Sequence, residues 1–294
     1  MRKRWIAIVA VLTALALVTA ACGDDGEEPT GGDTTGTTAE TGPTGATATG
    51  PTGETAAPEV TTLTEGILLV GSDIPYPPFE YREGGTEVGF DIDLATEIAS
   101  RLGLEVEIVD TDFGTIFTQL ATGRFDVVIA ASTITPEREE EVNFSDPYYN
   151  AQQSLTVQTG SGIAVVEDLQ AGMVVGVQKR TTGEAWAQEN VPEGVDIRSY
   201  PEGPDAYTAL EAGQVDAVIN DEPVAISQVA ERSGIEIAQI IPTGESYGIA
   251  VNPANEPLLA AVNEILAAMI ADGTYDEIYA TYPDLPPVGN VAAA

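Results

Sequence analysis

From residue 65 onward, the apolar positions of the chain follow two periods, one typical of buried strands and one typical of helices. The segment 67–70 is apolar throughout and is followed by Gly71, which predicts a buried strand. In the segment 91–102 the apolar residues recur at helical spacing, and Gly103 is a typical helix stop. Strand and helix patterns alternate in this way along the chain, which predicts an α/β fold with parallel sheets covered by helices.

The predicted elements form two series of the same kind. The predicted strands cover 67–70, 105–109, 126–130, 154–157, 173–177, 197–200, 215–219, 235–241 and 247–251. The predicted helices cover 91–102, 115–121, 166–170, 183–190, 206–212, 222–232, 256–271 and 274–282, and a further helix begins at Pro136 with Thr135 as its N-cap. This repetition predicts two similar lobes, but the periodicity does not show where the chain passes between them.

The N-terminal residues carry neither period and predict an export signal followed by a tether. Basic residues precede an apolar segment at 6–18 and then small residues, which is typical of a secretory signal peptide over residues 1–21. Cys22 directly follows the small residues, as in a bacterial lipobox, so we expect it to be lipidated; the alternative is a signal peptide with an incidental cysteine. Residues 22–64 are rich in Thr, Gly, Pro and acidic residues and predict a disordered tether.

The composition excludes several classes of partner and chemistry. The chain has 294 residues, with 11 Lys and Arg against 47 Asp and Glu, and its net charge of −36 argues against nucleic acid and anionic lipid as partners. It has no histidine, and Cys22 is its only cysteine, so we expect no metal, no cofactor and no histidine-based catalysis. Asp91 and Asp93 are two positions apart on a helix, where side chains do not face each other. We expect them to stabilise the helix N-terminus, and an enzyme that uses carboxylates stays a minor alternative.

Five blocks of the chain resemble one family, the extracellular solute-binding proteins of polar amino acid ABC transporters (solute-binding protein family 3). The blocks are SDIPYPPFEY at 72–81, GFDIDLATEIA at 89–99, AASTITPER at 130–138 with NFSDPYY at 143–149, VDAVINDEP at 215–223, and DGTYDEIYATY at 272–282. They are collinear, and the resemblance covers roughly residues 65–283.

The resemblance implies a two-lobed periplasmic-binding-protein-like fold of type II. Lobe 1 would comprise residues 65–148 and 248–294, and lobe 2 residues 149–247, with crossing strands near 148–152 and 243–247. Each lobe would be a sheet flanked by helices. The ligand would lie in the cleft between the lobes, which would close on it by a hinge motion.

The resemblance also implies where the main-chain groups of a free amino acid are held. Thr133 and Arg138 would bind the ligand carboxylate, since an arginine can grip a carboxylate with two parallel hydrogen bonds. The backbone carbonyl of Ala131 or the hydroxyl of Ser132 would reach the ammonium. Asp221, at the end of an apolar strand in the other lobe, would be the main partner of the ammonium.

Five further residues are expected to complete the site. Thr181 and Thr182 open a helix, and their N–H and hydroxyl groups could add to the carboxylate site. By resemblance, the rings of Tyr76 and Phe113 would sandwich the ligand side chain, and Asp73 would bond an amide or a cation. Tyr76, Phe113 and Asp73 favour arginine, lysine or glutamine as the ligand.

Each of these assignments has an alternative that the residues leave open. Arg138 could simply pair with Glu141, three positions along the same helix. Asp221 could cap the helix at 222–232, and Tyr76 and Phe113 could be ordinary core residues. Arg180 stands where the family commonly has a small residue or glycine; inside the cleft it would favour an acidic ligand, but a long side chain at a loop position can swing to solvent.

The expected function is high-affinity binding of a polar or basic L-amino acid and its delivery to the permease subunits of an ABC importer. The protein is expected to be a monomer outside the cytoplasm, held at the outer face of the bacterial cell membrane only by the lipid on Cys22. A sensor of the same fold that is not coupled to transport is the main alternative.

Overall fold

The computed structural model describes residues 60–293. The predicted signal peptide, Cys22 and the tether up to residue 59 lie outside the described residues. Residues 60–64, which the composition assigns to the tether, pack on the folded domain instead. The Leu63 N–H donates to Asp126 Oδ1 at 2.8 Å, and the Thr61 carbonyl accepts from Asn255 Nδ2 at 3.0 Å. These side-chain partners satisfy backbone groups of the segment, which composition could not foresee.

Strands and helices alternate through the described residues. The strands are β1 Ile67–Ser72, β2 Tyr81–Glu83, β3 Thr86–Val88, β4 Glu105–Asp110, β5 Val127–Val128, β6 Asn143–Phe144, β7 Tyr149–Gln158, β8 Val174–Gln178, β9 Asp196–Tyr200, β10 Ala217–Asp221, β11 Ile235–Tyr247 and β12 Ala250–Val251. The α-helices are α1 Phe90–Leu102, α2 Ile116–Ala121, α3 Pro136–Glu139, α4 Thr182–Asn190, α5 Gly203–Glu211, α6 Glu222–Glu231, α7 Glu256–Asp272 and α8 Thr274–Ala280. The helix predicted at 166–170 is a 3-10 turn, Val166–Asp168.

Two five-stranded sheets organise the molecule. The first has the order β4-β1-β5-β12-β6, and with α1, α2, α3, α7 and α8 it forms lobe 1. The second has the order β11-β7-β10-β8-β9, and with α4, α5 and α6 it forms lobe 2. This is an α/β fold of two lobes, and it is consistent with the type II arrangement.

Both sheets are mixed, so the expectation of parallel sheets is wrong in part. β1 is parallel to β4 and β5, and β8 is parallel to β9 and β10, as the strand-helix alternation predicts. However, β12 is antiparallel to β5 and β6, and β7 is antiparallel to β10 and β11. β7 begins where the chain leaves lobe 1, and β12 begins after the chain has returned to it. Neither strand is reached through a helical crossover, which is the connection that parallel neighbours need.

Two long strands run side by side from one lobe to the other. β7 and β11 are antiparallel, and their register pairs Tyr149 with Tyr247 and Ala151 with Glu245. Beyond a register shift, the same two strands continue together into the second sheet. The chain therefore passes between the lobes twice within one narrow ribbon, which is a suitable hinge for lobe closure.

An aromatic cluster anchors this ribbon to lobe 1. The Tyr149 and Tyr247 rings stack at 5.2 Å between centroids, and Phe79 meets both edge to face at 5.1 and 5.4 Å. Phe90, at the start of α1, packs against Tyr149 and against Tyr275 of α8. Each such pair contributes about 0.5–1.5 kcal/mol beyond the burial of its area. The cluster thus fixes the start of β7 and the end of β11 against lobe 1.

Within residues 60–293, no single helix is long and apolar enough to cross a membrane. Helices α7 and α8 meet the length and composition criteria only when taken together, and they are bent by 77° relative to each other. Helix α7 buries Leu258, Val262, Ile265 and Met269 in the core of lobe 1, as expected of a core helix.

Candidate functional site

A cavity lies between the two lobes. The residues that line it are Asp73, Tyr76, Glu80, Phe113, Ala130, Ala131, Thr133 and Arg138 from lobe 1, and Gln178, Thr181, Thr182 and Asp221 from lobe 2. Several of them stand at the carboxyl ends of β1, β5, β8 and β10, which is where open α/β sheets place their ligands. The structure thus brings nine of the ten residues predicted for the site around one cavity.

Ser132 is the exception among the predicted residues. It is fully buried, and its hydroxyl donates to the Ala130 carbonyl at 3.2 Å rather than lining the cavity. Its neighbour Ala131 does line the cavity and has φ 43°, in the left-handed region. The Ala131 N–H donates to Asp91 Oδ2 at 2.7 Å, which holds this unfavourable backbone conformation in place. Of the two alternatives for the ammonium, only the Ala131 carbonyl remains.

Asp91 therefore does more than stabilise a helix N-terminus. It lies in the first turn of α1 but is fully buried, and it also accepts from Tyr148 Oη at 2.8 Å. Asp93 faces elsewhere and accepts from Tyr282 Oη at 2.6 Å. The two carboxylates do not form a pair.

Arg138 supplies the positive charge of the cavity. It lies on the single turn α3, where Thr135 Oγ1 accepts from the Arg138 N–H as the predicted N-cap. Its Nη1 donates to the Thr133 carbonyl at 2.6 Å, and its Nη2 to the Arg180 carbonyl of lobe 2 at 3.4 Å. The guanidinium carbon lies 5.1 Å from the centre of the Phe113 ring and 4.9 Å from that of Phe117.

The alternative that Arg138 pairs with Glu141 is wrong. None of the ion pairs among residues 60–293 includes Arg138. Burial lowers the pKa of Arg138, while the charges of Asp221 and Glu245 oppose that shift. Because an arginine stays protonated in proteins, the cavity holds a half-buried cation that makes no direct ion pair with any carboxylate of residues 60–293.

Asp221 supplies the negative charge of lobe 2. It is the last residue of β10, and its Oδ2 accepts from Tyr76 Oη at 2.9 Å and Tyr247 Oη at 2.5 Å. Its Oδ1 accepts from Gln153 Nε2 at 2.5 Å. Although Asp221 directly precedes α6, its side chain makes no capping hydrogen bond, so the capping alternative is wrong. Burial, together with the charge of Glu245, raises the pKa of Asp221 to about 6.

Threonine hydroxyls from the two lobes meet beside these charges. Thr133 Oγ1 and Thr182 Oγ1 are 3.5 Å apart, and both donate to Glu245 Oε2, at 2.8 and 2.7 Å. Thr181 plays another part, because its hydroxyl accepts from the Glu184 N–H at 3.1 Å and so caps α4. Sequence patterns had not singled out Glu245, since it lies in a crossing strand whose neighbours are set only by the tertiary fold.

Two further buried carboxyl groups, Asp73 and Glu80, line the cavity. Asp73 accepts from the Phe113 N–H at 3.1 Å and from Gln178 Nε2 at 2.7 Å. Burial, with a further contribution from Glu202, raises the pKa of Asp73 to about 7. Glu80 is fully buried, and neither of its oxygens accepts a hydrogen bond from a donor in residues 60–293. Burial, with the charge of Asp91, holds the pKa of Glu80 well above its usual range.

Glu80 and Gln178 were missed by the sequence reasoning. Glu80 stands inside the block at 72–81 as a carboxylate among aromatic and proline residues, and that contrast could have singled it out. Gln178 ends β8 and reaches from lobe 2 to Asp73 of lobe 1. Nothing local distinguishes it from other glutamines, because its partner is 105 residues away in the chain.

Tyr76 and Phe113 are more than core residues. Both line the cavity, and the Tyr76 hydroxyl shares its one proton between Asn220 Oδ1 at 2.8 Å and Asp221 Oδ2 at 2.9 Å, across the interface between the lobes. The Phe113 ring packs edge to face on Phe117, at 5.7 Å between centroids. One aromatic wall of the cavity therefore also supports the guanidinium of Arg138.

Arg180 lies at the mouth of the cavity and not inside it. Its Nη1 donates to the Gly114 carbonyl of lobe 1 at 3.0 Å, so the side chain neither enters the cavity nor extends freely into solvent. Arg180 has φ 61°, which explains why small residues and glycine suit this position. Within the described chain, Arg180 and Ala131 are the two non-glycine residues with positive φ, and both border the cavity.

The fold and the site define a protein class: two α/β lobes with a polar cavity between them, lined by an arginine and an aspartate of opposite lobes. The sequence profile of the bacterial extracellular solute-binding proteins, family 3, matches residues 68–284, and the chain belongs to this family.

Comparisons with individual proteins agree. The chain is 35% identical to the L-cystine-binding protein TcyJ of Escherichia coli K12 over 216 residues, which are 71% of this chain and 79% of the relative. It is 32% identical to the lysine/arginine/ornithine-binding periplasmic protein of the same strain over 231 residues, 75% of this chain and 89% of the relative. Among solved structures, an ancestral arginine-binding protein bound to arginine superposes with a TM-score of 0.70 and 41% identity, over 74% of this chain and 98% of the other.

Proposed function

We propose that this protein binds a free L-amino acid with a polar or basic side chain between its lobes and delivers it to the permease subunits of an ABC importer. The observation that carries the proposal is the charge arrangement of the cavity. One half-buried arginine and one buried aspartate come from opposite lobes, and two further buried carboxyl groups, those of Asp73 and Glu80, line the same cavity.

The main-chain groups of an amino acid match the first two charges. Arg138 uses two N–H groups on the Thr133 and Arg180 carbonyls, and its remaining donors can hold a carboxylate. Asp221 is an acceptor for an ammonium, and the Ala131 carbonyl is a second one. Because Arg138 belongs to lobe 1 and Asp221 to lobe 2, a bound zwitterion stabilises the closed arrangement of the lobes.

The carboxyl groups of Asp73 and Glu80 favour a cationic side chain. Asp73 and Glu80 carry pKa values raised mainly by burial, and a guanidinium or ammonium group placed beside them would favour their ionised forms. The faces of Tyr76 and Phe113 suit the flat guanidinium or the alkyl stem of such a side chain. Arginine and lysine are therefore the first candidates, followed by glutamine. Relatives that bind lysine, arginine and ornithine support this ligand class.

Closure is expected to assemble the site by contacts that join the lobes directly. These are the hydrogen bonds of Gln178 to Asp73, of Tyr76 to Asp221, of Arg138 to the Arg180 carbonyl and of Arg180 to the Gly114 carbonyl. The ligand-binding residues come together only when the lobes are closed. Closure itself requires only that β7 and β11 bend. The protein acts outside the cytoplasm as a monomer, and we infer that lipidation of Cys22 and the acidic tether hold it near the membrane.

Titration with the twenty L-amino acids tests the ligand class. Protein lacking residues 1–21 is examined by calorimetry and thermal unfolding, with the D-enantiomers as controls. A ligand at a hundred times its Kd stabilises the folded state by about 2.7 kcal/mol. We expect stabilisation by L-arginine or L-lysine, weaker stabilisation by L-glutamine, and none by D-enantiomers. If no polar or basic L-amino acid raises the unfolding temperature, the proposal is wrong.

Transport and anchoring have separate tests. Uptake of the labelled ligand by cells that lack this protein distinguishes an importer subunit, for which uptake falls, from a sensor, for which uptake is unchanged. Substitution Cys22→Ala should release the protein from the membrane fraction without affecting ligand binding. An enzyme of the same fold would convert the ligand, and recovery of unchanged amino acid after long incubation would argue against one.

A further inference from the structure

Glu245 lies where the two lobes and the hinge meet. It is on the crossing strand β11, opposite Ala151 of β7. Its Oε2 accepts from Thr133 of lobe 1 and Thr182 of lobe 2, and its Oε1 accepts from Gln153 Nε2 at 3.1 Å. A single carboxylate on the hinge therefore receives one hydroxyl from each lobe.

The chemistry of these groups determines which way the hydroxyl protons point. An ionised carboxylate only accepts hydrogen bonds, and each threonine hydroxyl has only one proton. In both contacts the hydroxyl must donate to Glu245. The oxygens of Thr133 and Thr182 are then left with lone pairs only, which accept from an ammonium, and on Thr182 also from Gln153 Nε2 at 3.4 Å, but cannot donate to a carboxylate. This reverses the role expected for the Thr133 hydroxyl from the sequence, which was to bind the ligand carboxylate.

A second observation places negative charge at the same point. Gln153 Nε2 donates to Asp221 Oδ1 at 2.5 Å and to Glu245 Oε1 at 3.1 Å, so the two carboxylates flank one nitrogen atom. Both carboxylates also lie close enough to Arg138 to act on its charge. A ligand ammonium beside Thr133 would meet Asp221 directly and would feel the field of Glu245 behind the hydroxyls.

We propose that Glu245 is a positioning residue of the ammonium end of the site: it orients the Thr133 and Thr182 hydroxyls as acceptors and, together with Asp221, selects ligands that carry an α-ammonium. This inference rests on the proposed function, because it needs an amino acid in the cavity. The hydroxyls belong to different lobes, so the arrangement is complete only when the lobes are closed. Glu245 therefore acts on the closed, ligand-holding form.

The test is Glu245→Gln, which keeps the shape of the side chain but removes its charge and lets the amide donate to a hydroxyl. Glu236→Gln is the matched control, since Glu236 is an exposed glutamate of the same strand. Affinities are measured by competition titration for L-arginine, for agmatine, which lacks the carboxylate, and for 5-guanidinopentanoate, which lacks the ammonium. L-lysine, cadaverine and 6-aminohexanoate form a parallel set. Unfolding temperatures are recorded for both variants.

We expect Glu245→Gln to lower the affinity for ligands that have the α-ammonium about tenfold and to leave the affinity for ligands without it unchanged. A hydrogen bond to a charged group commonly changes affinity by a factor of that order. An equal loss for all three ligands would indicate a merely structural role and overturn the inference. Tighter binding of the carboxylate-bearing ligands would also overturn it, because Glu245 would then compete for the carboxylate site. Wild-type protein that binds neither amino acid would instead refute the proposed function, and this inference with it.

Discussion

Removal of the Arg138 side chain is the most direct perturbation of the proposed site. Its guanidinium is held by the Thr133 carbonyl and lies over the rings of Phe113 and Phe117, all within lobe 1, so its orientation is set before the lobes close on a ligand. In Arg138→Ala, the ligand carboxylate would be buried with no cation to pair with it. In Arg138→Lys the charge remains, but a lysine cannot form two parallel hydrogen bonds with a carboxylate.

The magnitude follows from the burial of the pair. Truncating one partner of a buried, hydrogen-bonded charge pair costs about 2–5 kcal/mol, so Arg138→Ala should weaken amino acid binding by at least about thirtyfold. Arg138→Lys loses the bidentate geometry but keeps the charge, and we expect a loss of about tenfold. Arg138 has no ion pair among residues 60–293, and the alanine variant should therefore stay folded.

Calorimetry with the best L-amino acid measures these affinities, and thermal unfolding checks the fold. Arg124→Ala is the control, because Arg124 is an exposed arginine of the same lobe that lies over the ring of Phe125. The control should bind as the wild type does. Binding by Arg138→Ala within about threefold of the wild type, with an unchanged unfolding temperature, would refute the assignment of the carboxylate site.

Three further predictions concern selectivity, pH and the backbone. Asp73→Asn should weaken the binding of arginine and lysine about tenfold more than the binding of glutamine. Asp112→Asn, a change at an exposed neighbour, should not. An equal loss of affinity for all ligands would contradict the role of Asp73. Burial raises the pKa of Asp73 to about 7 and that of Asp221 to about 6, both from 3.8, so the unfolded state loses these protons at lower pH than the folded state does, and the unfolding temperature of unliganded protein should fall as the pH rises from about 4 to about 7. A rise over this range would be evidence against buried carboxyls, and Asp73→Asn should reduce the fall. Gly89→Ala should destabilise the protein by more than about 1 kcal/mol in denaturant unfolding, because its Cβ would lie 2.1 Å from the Phe79 carbonyl oxygen; Gly84→Ala, also at positive φ but with no atom within 4 Å, should cost less.

Local pattern was sufficient for most of the secondary structure. Helices α1, α4, α6 and α7 lie within a residue or two of their predicted bounds, because their apolar spacing and stop signals are local properties. Thr135 caps α3 as predicted, since capping depends on residues only three positions apart. The helix predicted at 166–170 was wrong in type and length, since the structure has a 3-10 turn at Val166–Asp168.

The sequence by itself determined the α/β class, the two series of elements, the placement of Arg138 on a capped helical turn and that of Asp221 at a strand end. Only the tertiary structure decided that β7 and β12 are antiparallel to their neighbours, that Ser132 points away from the cavity, and that Arg180 spans its mouth. It alone brought Glu80, Gln178 and Glu245 to the site. The reason is physical: periodicity reports which face of an element is buried, whereas the partner of a buried polar group is chosen by contacts across lobes, here between residues 63 to 145 positions apart.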